Sequence, residues 1–119
     1  MKKSISSWSF PTAWDLRAQL STARKASFSS FEVALDEKGP ISLRSSRKEL
    51  MAVRRLADKE KLVLSGLATS LYWGANAASE NPVNRRRATE ILQRQMYKHA
   101  PEDLIQNTSR AMDAIFKLH

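Results

Sequence analysis

The chain has 119 residues and a formal net charge of +8, and its length suits a single domain. Hydrophobic residues make up 42% of the sequence, which excludes a fully disordered chain. Its lack of cysteine excludes disulfides, thiolate metal sites and cysteine nucleophiles. No apolar run approaches the roughly 18 residues of a membrane span, and the start of the chain is too polar for a signal peptide, so we expect a cytoplasmic protein with no membrane partner.

Two strands and a helix are predicted in the first part of the chain. Residues 4–10 form a short β-prone run that ends before Pro11, which predicts a strand. Apolar residues at helical spacing predict a helix over residues 13–25, with Thr12 as its N-cap. Residues 28–35 predict a second strand, which is followed by a Gly-Pro loop.

The middle of the chain repeats the alternation of helix and strand. Ser46 and Glu49 have the spacing of a capping box, and the apolar stripe after them predicts a helix over residues 47–60. Residues 62–68 form a short apolar run that predicts a third, largely buried strand, and residues 69–81 predict a loop. Strands that alternate with helices predict parallel pairing with right-handed crossovers.

The last part of the chain predicts two helices. Asn81 suits an N-cap and Pro82 the first helical position, and the apolar pattern after them breaks at Pro101. We therefore predict an α/β fold, a partial (β/α) barrel of about three parallel units over residues 1–100. We expect an amphipathic C-terminal helix over residues 101–119 to pack on the sheet or on a partner chain.

Three short motifs occur in the same order as the first three strands of a known family. Residues 5–11 read ISSWSFP, residues 26–33 read ASFSSFEV, and residues 62–74 read LVLSGLATSLYWG. They are similar to the opening strand, to the "A-G-F-x-G-[IF]-E-[LV]" motif that ends the second strand, and to the third strand and loop of one family. The chain thus resembles, over residues 4–98, the sugar phosphate isomerase/epimerase family with its xylose-isomerase-like TIM barrel.

The resemblance implies metal-dependent isomerisation or epimerisation of a ketose or sugar phosphate. It implies a divalent metal held by Glu, Asp and His on later strands. A typical barrel has eight strands and about 250 residues, so three units would leave those strands out. We therefore expect a truncated relative that is inactive alone or acts when assembled, that forms a homo-oligomer, and that holds no cofactor by itself.

Serine replaces glycine at three positions of the family pattern, Ser27, Ser30 and Ser70. Glycine in such turns takes a positive φ, which other residues adopt with strain. Each replacement is therefore expected to cost on the order of 1 kcal/mol if the backbone is unchanged.

The candidate site residues are those that match the family motif or lie at the ends of predicted strands. Glu32 is the one carboxylate that matches the family motif, and the resemblance implies a catalytic role at the end of the second strand; a structural hydrogen bond or a solvent-facing position is the alternative. Four aromatic residues lie at predicted strand ends or in the loops after them: Trp8, Phe10, Tyr72 and Trp73. They would either form the walls of a sugar pocket or cover the end of the sheet or a subunit contact.

Clusters of cations keep a second function open, a non-enzymatic basic protein that binds nucleic acid or an acidic partner. Arg85, Arg86 and Arg87 fall in the first turn of a predicted helix, where an anion would bind, although a solvated helix face is the alternative. A second concentration of cations comprises Arg44, Arg47, Lys48, Arg54 and Arg55.

No metal site is predicted, because His99 and His119 fit no ligand spacing.

An incomplete barrel would leave its third strand unpaired and one apolar face of its sheet uncovered. Exposed strand edges invite pairing with another chain. We therefore expect the helix at residues 101–118 either to cover that face or to mediate a symmetric dimer.

Overall fold

The computed structural model describes residues 1–99 of the chain, so the helix predicted at residues 101–119 lies outside the described residues. The chain divides into two compact units, Met1–Leu71 and Tyr72–His119. Within residues 1–99, no helix combines the length and apolar character that crossing a membrane requires.

Strands and helices alternate along the first unit, as the sequence predicts. The elements are β1 (Ser4–Ser6), α1 (Leu16–Lys25), β2 (Ser30–Leu35), α2 (Arg47–Lys59) and β3 (Val63–Thr69). The three strands form one parallel sheet in the order β1-β2-β3. The predicted α/β class with three parallel strands is confirmed. A 3₁₀ turn at Leu71–Trp73 follows, and then α3 (Pro82–His99).

Strand β1 is shorter than the run that predicts it. It ends at Ser6 and continues as a single 3₁₀ turn, Ser7–Ser9. The Ser6 hydroxyl accepts a hydrogen bond from the Trp8 amide (3.3 Å), and the Phe10 amide donates to the Ser7 carbonyl (3.2 Å). A serine side chain that bonds to the nearby backbone competes with the strand ladder, which ends the strand early.

Helix α1 begins later than predicted, because Asp15 and not Thr12 is its N-cap. The Asp15 carboxylate accepts from the Ala18 amide (2.8 Å). A turn closed by the Trp14 amide and the Pro11 carbonyl (3.0 Å) keeps the preceding residues out of the helix. An aspartate at this position also interacts favourably with the helix dipole.

The capping box predicted at the start of α2 is confirmed. The Ser46 hydroxyl accepts from the Glu49 amide (3.2 Å), and the Glu49 carboxylate accepts from the Ser46 amide (2.6 Å). Both amides of the capping box therefore have partners, and α2 begins at Arg47 as expected.

Helix α1 ends in a Schellman motif that places a serine in the left-handed region. The Phe28 amide donates to the Ala23 carbonyl (3.0 Å), and Ser27 has a φ of 65°. The positive φ expected at Ser27 is therefore confirmed. Ser30 and Ser70 do not have a positive φ. Ser30 lies inside β2, where extended backbone suits serine, so the strain expected at these two positions is wrong.

Helix α2 ends in the same way, at a position that the sequence pattern did not single out. The Leu62 amide donates to the Ala57 carbonyl (3.0 Å), and Lys61 has a φ of 55°. Glycine is the usual residue at this point of a Schellman motif. Both helix-to-strand turns of the sheet therefore carry a strained residue.

One face of the sheet is covered and the other is partly exposed. Along β2, Phe31, Val33 and Leu35 are buried, whereas Ser30, Glu32 and Ala34 are partly exposed, as the period of two in a strand requires. Helices α1 and α2 contact each other. The buried apolar side chains of these helices are Leu16, Leu20, Ala23, Val53 and Ala57.

Candidate functional site

The partly exposed side of the sheet, which we call the inner face, is polar at its centre. The strand register places its side chains as follows: Ser4 and Ser6 on β1, Ser30, Glu32 and Ala34 on β2, and Val63, Gly66 and Ala68 on β3. The expectation of an apolar uncovered face is therefore wrong. The pattern of alternating residues places the larger apolar side chains of β2 on the covered side.

Glu32 lies in the middle of the inner face. It is opposite Gly66 on β3, and a Cβ atom added to Gly66 would lie 3.5 Å from Oε2 of Glu32 and 3.6 Å from its Cγ. The Glu32 side chain thus lies over Gly66 on the neighbouring strand, at ordinary van der Waals distance from the position of an added methyl group. The Glu32 side chain makes no hydrogen bond or ion pair with another residue that the structure describes, so its carboxylate is open to an external donor.

Glu32 is not at the end of its strand, where the resemblance places it. It is the third residue of β2, which continues to Leu35. Because each strand residue advances about 3.3 Å, Glu32 lies roughly 10 Å before the carboxyl end of β2. Its carboxylate therefore belongs to the inner face and not to the loops at the strand ends.

A pair of serine hydroxyls from β1 and β3 lies on the inner face, and the register places Ser4 level with Ser30, two residues before Glu32. The register between β2 and β3 shifts between Phe31 and Glu32, which leaves Ser65 as an extra residue. The Ser65 hydroxyl lies 2.7 Å from the hydroxyl of Ser4 on β1. Such a bulge re-aims a side chain, and here it adds a hydroxyl to the inner face.

The loop between β1 and α1 is held by a residue that the sequence analysis missed. Gln19 of α1 is buried; its Oε1 accepts from the Ser7 hydroxyl (2.7 Å), and its Nε2 donates to the Trp14 carbonyl (3.0 Å). The signal in the sequence is a polar side chain on the apolar stripe beside Leu16 and Leu20. A buried amide with both ends bonded holds the loop in one conformation.

The two aromatic candidates of the first unit have different environments. The Phe10 ring packs between Trp14 and Phe31, with ring centroids 5.9 Å and 6.0 Å away. Trp8 is 53% exposed. Phe10 therefore belongs to an aromatic cluster beside the sheet, whereas Trp8 remains accessible to a ligand or a partner.

The two aromatic candidates at the start of the second unit also differ. The Tyr72 hydroxyl donates to Oε1 of Gln95 (3.0 Å), and burial raises the pKa of the phenol above its ordinary value of 10.0. Trp73 is 86% exposed. Tyr72 is therefore attached to α3, whereas Trp73 is free of packing against the described residues on most of its surface.

The three arginines at the start of α3 have local acceptors. Arg85 donates to two backbone carbonyls of the preceding loop (2.8 and 2.7 Å), and Arg86 donates to the Pro82 carbonyl (3.4 Å). Arg87 pairs with Glu90 (3.1 Å). Their guanidinium groups therefore already satisfy part of their hydrogen-bonding capacity within α3 and its loop.

The metal that the resemblance implies does not fit the described residues. Within residues 1–99, no three His, Cys, Asp or Glu side chains lie close enough together to hold a metal ion. Glu32 is a single carboxylate, whereas catalytic metals are held by three or more protein or solvent ligands. These residues by themselves therefore support no metal-dependent step.

No protein-family model and no curated protein matches the chain. A functional proposal therefore depends on the chemistry of the inner face and on the resemblance of the three sequence motifs.

Proposed function

We propose that this chain supplies the first three β/α units of a barrel similar to the sugar phosphate isomerases and epimerases, and that its inner face binds a sugar. The observation that carries the proposal is the open carboxylate of Glu32 above Gly66. An ionised carboxylate accepts several hydrogen bonds and can therefore take two neighbouring sugar hydroxyls. The hydroxyls of Ser4 and Ser65 on the same face supply further donors and acceptors.

The proposal gives Glu32 a binding role. Proton transfer in this class of reaction uses paired carboxylates beside a metal, and residues 1–99 place no such set around Glu32. Isomerisation or epimerisation of a ketose or its phosphate therefore requires groups in addition to these residues. A small sugar held on the inner face is the function that Glu32 and the serines support by themselves.

A second copy of the chain is the proposed source of further strands. Among the described strands, β3 is the last of the sheet and pairs with β2 alone. Its seven residues, Val63–Thr69, carry no charged side chain that would oppose pairing. Pairing at this edge would extend the sheet toward a barrel, and it predicts a homo-oligomer.

The direct test is to measure the affinity of a panel of ketoses, aldoses and their phosphates by calorimetry. We expect binding by the wild-type chain and a loss of about tenfold or more in Glu32→Gln, because a charged acceptor contributes about 1.5–3 kcal/mol. Glu80→Gln is the matched control, since Glu80 is exposed and lies outside the first unit. Equal affinities for the wild type and Glu32→Gln would contradict the proposal.

A further inference from the structure

The exposed side of α2 carries a concentration of positive charge, which we call the cationic face. The charged members of this face are Arg47, Lys48, Arg54, Arg55 and Lys59, all exposed. None of these five side chains has a hydrogen bond or ion pair with another residue that the structure describes. Their charges are therefore available to an external anion.

Few carboxylates oppose the cationic face. Glu49 is on the same helix, but its carboxylate accepts from the Ser46 amide in the capping box (2.6 Å). Asp58 is the other acidic residue of α2. The helix thus keeps a clear excess of positive charge on its exposed side, and a polyanion is the partner that complements it.

The cations follow the helix axis. Lys48, Arg55 and Lys59 are separated by seven and four residues, so they lie on one side of α2. At 1.5 Å per residue they span about 16 Å. That length of double-stranded DNA carries roughly ten phosphate charges, which is enough to meet all five cations of the face.

The positive charge continues onto the neighbouring helix. Arg17 of α1 and Lys59 of α2 line a shallow groove whose apolar lining is Leu20 and Leu56, with Glu60 at its side. The groove joins the two helices within the first unit. A phosphate backbone lying along α2 would therefore also come within reach of Arg17.

The composition of the face decides between kinds of polyanion. Met51, 42% exposed, is its one large apolar side chain, so the exposed side of α2 lacks the apolar stripe by which helices enter membranes. The helix has no aromatic residue, whereas proteins that hold single strands stack bases on aromatic rings. We propose that the cationic face of α2 binds the phosphate backbone of double-stranded nucleic acid without sequence preference, independently of the sugar site on the opposite side of the sheet.

The test compares two variants that each lose four positive charges from the total of +8. The first variant replaces Lys48, Arg54, Arg55 and Lys59 with glutamine. The second variant is the matched control, in which glutamine replaces Lys2, Lys3, Arg24 and Lys25. Each is titrated with a short DNA duplex over a range of salt concentrations, and circular dichroism establishes that both variants are folded.

We expect the wild type to bind the duplex and to lose affinity steeply with salt. The first variant is expected to bind at least about tenfold more weakly, with a log–log salt slope reduced by roughly 3 to 4, since each lost phosphate contact removes about 0.9. The control is expected to change the slope by less than about 1. Equal losses in both variants, no binding by the wild type, or tighter binding to anionic vesicles or single strands would overturn the proposal.

Discussion

Oε2 of Glu32 lies 3.5 Å from the point that a Cβ atom would occupy on Gly66 of the neighbouring strand. The carboxylate thus extends across the sheet over a residue without a side chain. This relationship keeps a charged group on the inner face without a protein partner among the described residues. A charged group held in this way, at the centre of a face of small and hydroxyl-bearing residues, is available for ligand binding.

A methyl group at Gly66 is expected to be tolerated. The nearest atoms to the added Cβ are at ordinary van der Waals distance, 3.5 and 3.6 Å, and Gly66 does not have a positive φ. Gly66→Ala should therefore raise the free energy of unfolding by about 0.5 kcal/mol, because alanine loses less backbone entropy in a strand. Urea unfolding of the variant and of the wild type measures the difference.

Gly39→Ala is the control for that prediction, and the opposite sign is expected. Gly39 has a φ of +118° and no atom within 4 Å of an added Cβ, so any loss of stability comes from the backbone alone. We expect a decrease of about 1 kcal/mol or more. A gain in stability for Gly39→Ala would contradict backbone strain at Gly39, and a large loss for Gly66→Ala would contradict the space for a methyl group at Gly66.

Glycine at position 27 is expected to stabilise the first unit. Ser27 has a φ of 65°, which strains any residue with a side chain. Ser27→Gly should raise the free energy of unfolding by about 0.5–1 kcal/mol, after subtraction of the extra entropy of an unfolded glycine. Ser30→Gly, inside β2, should lower it by a similar amount. The opposite order of the two variants in urea unfolding would rule out strain at Ser27.

Removal of the Gln19 amide is expected to loosen the loop before α1. Gln19→Leu would leave the Ser7 hydroxyl and the Trp14 carbonyl without their present partners. The free energy of unfolding should fall by about 1–3 kcal/mol, and hydrogen exchange of the loop amides should accelerate. Gln93→Leu on the exposed side of α3 is the control, with a change within about 0.5 kcal/mol. A neutral Gln19→Leu would contradict the loop-holding role.

The Tyr72 phenol predicts a loss of stability at alkaline pH. Because burial raises its pKa in the folded state above the unfolded value of 10.0, the folded state keeps the proton more tightly. Its contribution to stability is complete below pH 10.0 and is lost as the pH rises through the folded pKa. The difference in unfolding free energy between the wild type and Tyr72→Phe should therefore change only above this pH. A difference that is independent of pH across this range would contradict the burial of the phenol.

The elements that the sequence predicts best are those with local signals. The capping box of Ser46 and Glu49 involves contacts within one turn, so the start of α2 follows from the sequence. Thr12 and Asp15 both suit an N-cap, and only the turn from Pro11 to Trp14 decides between them. That choice depends on how the chain leaves β1, which composition does not encode.

The candidate site is predictable in part. Side chains alternate along β2, so Glu32 lies on the other face of the sheet from the buried Phe31 and Val33. This much follows from the sequence. Its position over Gly66 depends on the strand register and on the bulge at Ser65, which arise from pairing between distant segments. The sequence therefore indicates Glu32 itself, whereas the residues around it are known only from how the strands pair.

The most direct test of a sugar site on the inner face is an NMR titration of the full chain with the tightest-binding ketose or sugar phosphate. We predict that the amide signals of Glu32 and Gly66 shift with sugar concentration, that those of α1 and α2 stay in place, and that Glu32→Gln abolishes the shifts. Shifts elsewhere in the chain with none at Glu32 and Gly66, or the same shifts in Glu32→Gln, would contradict the account.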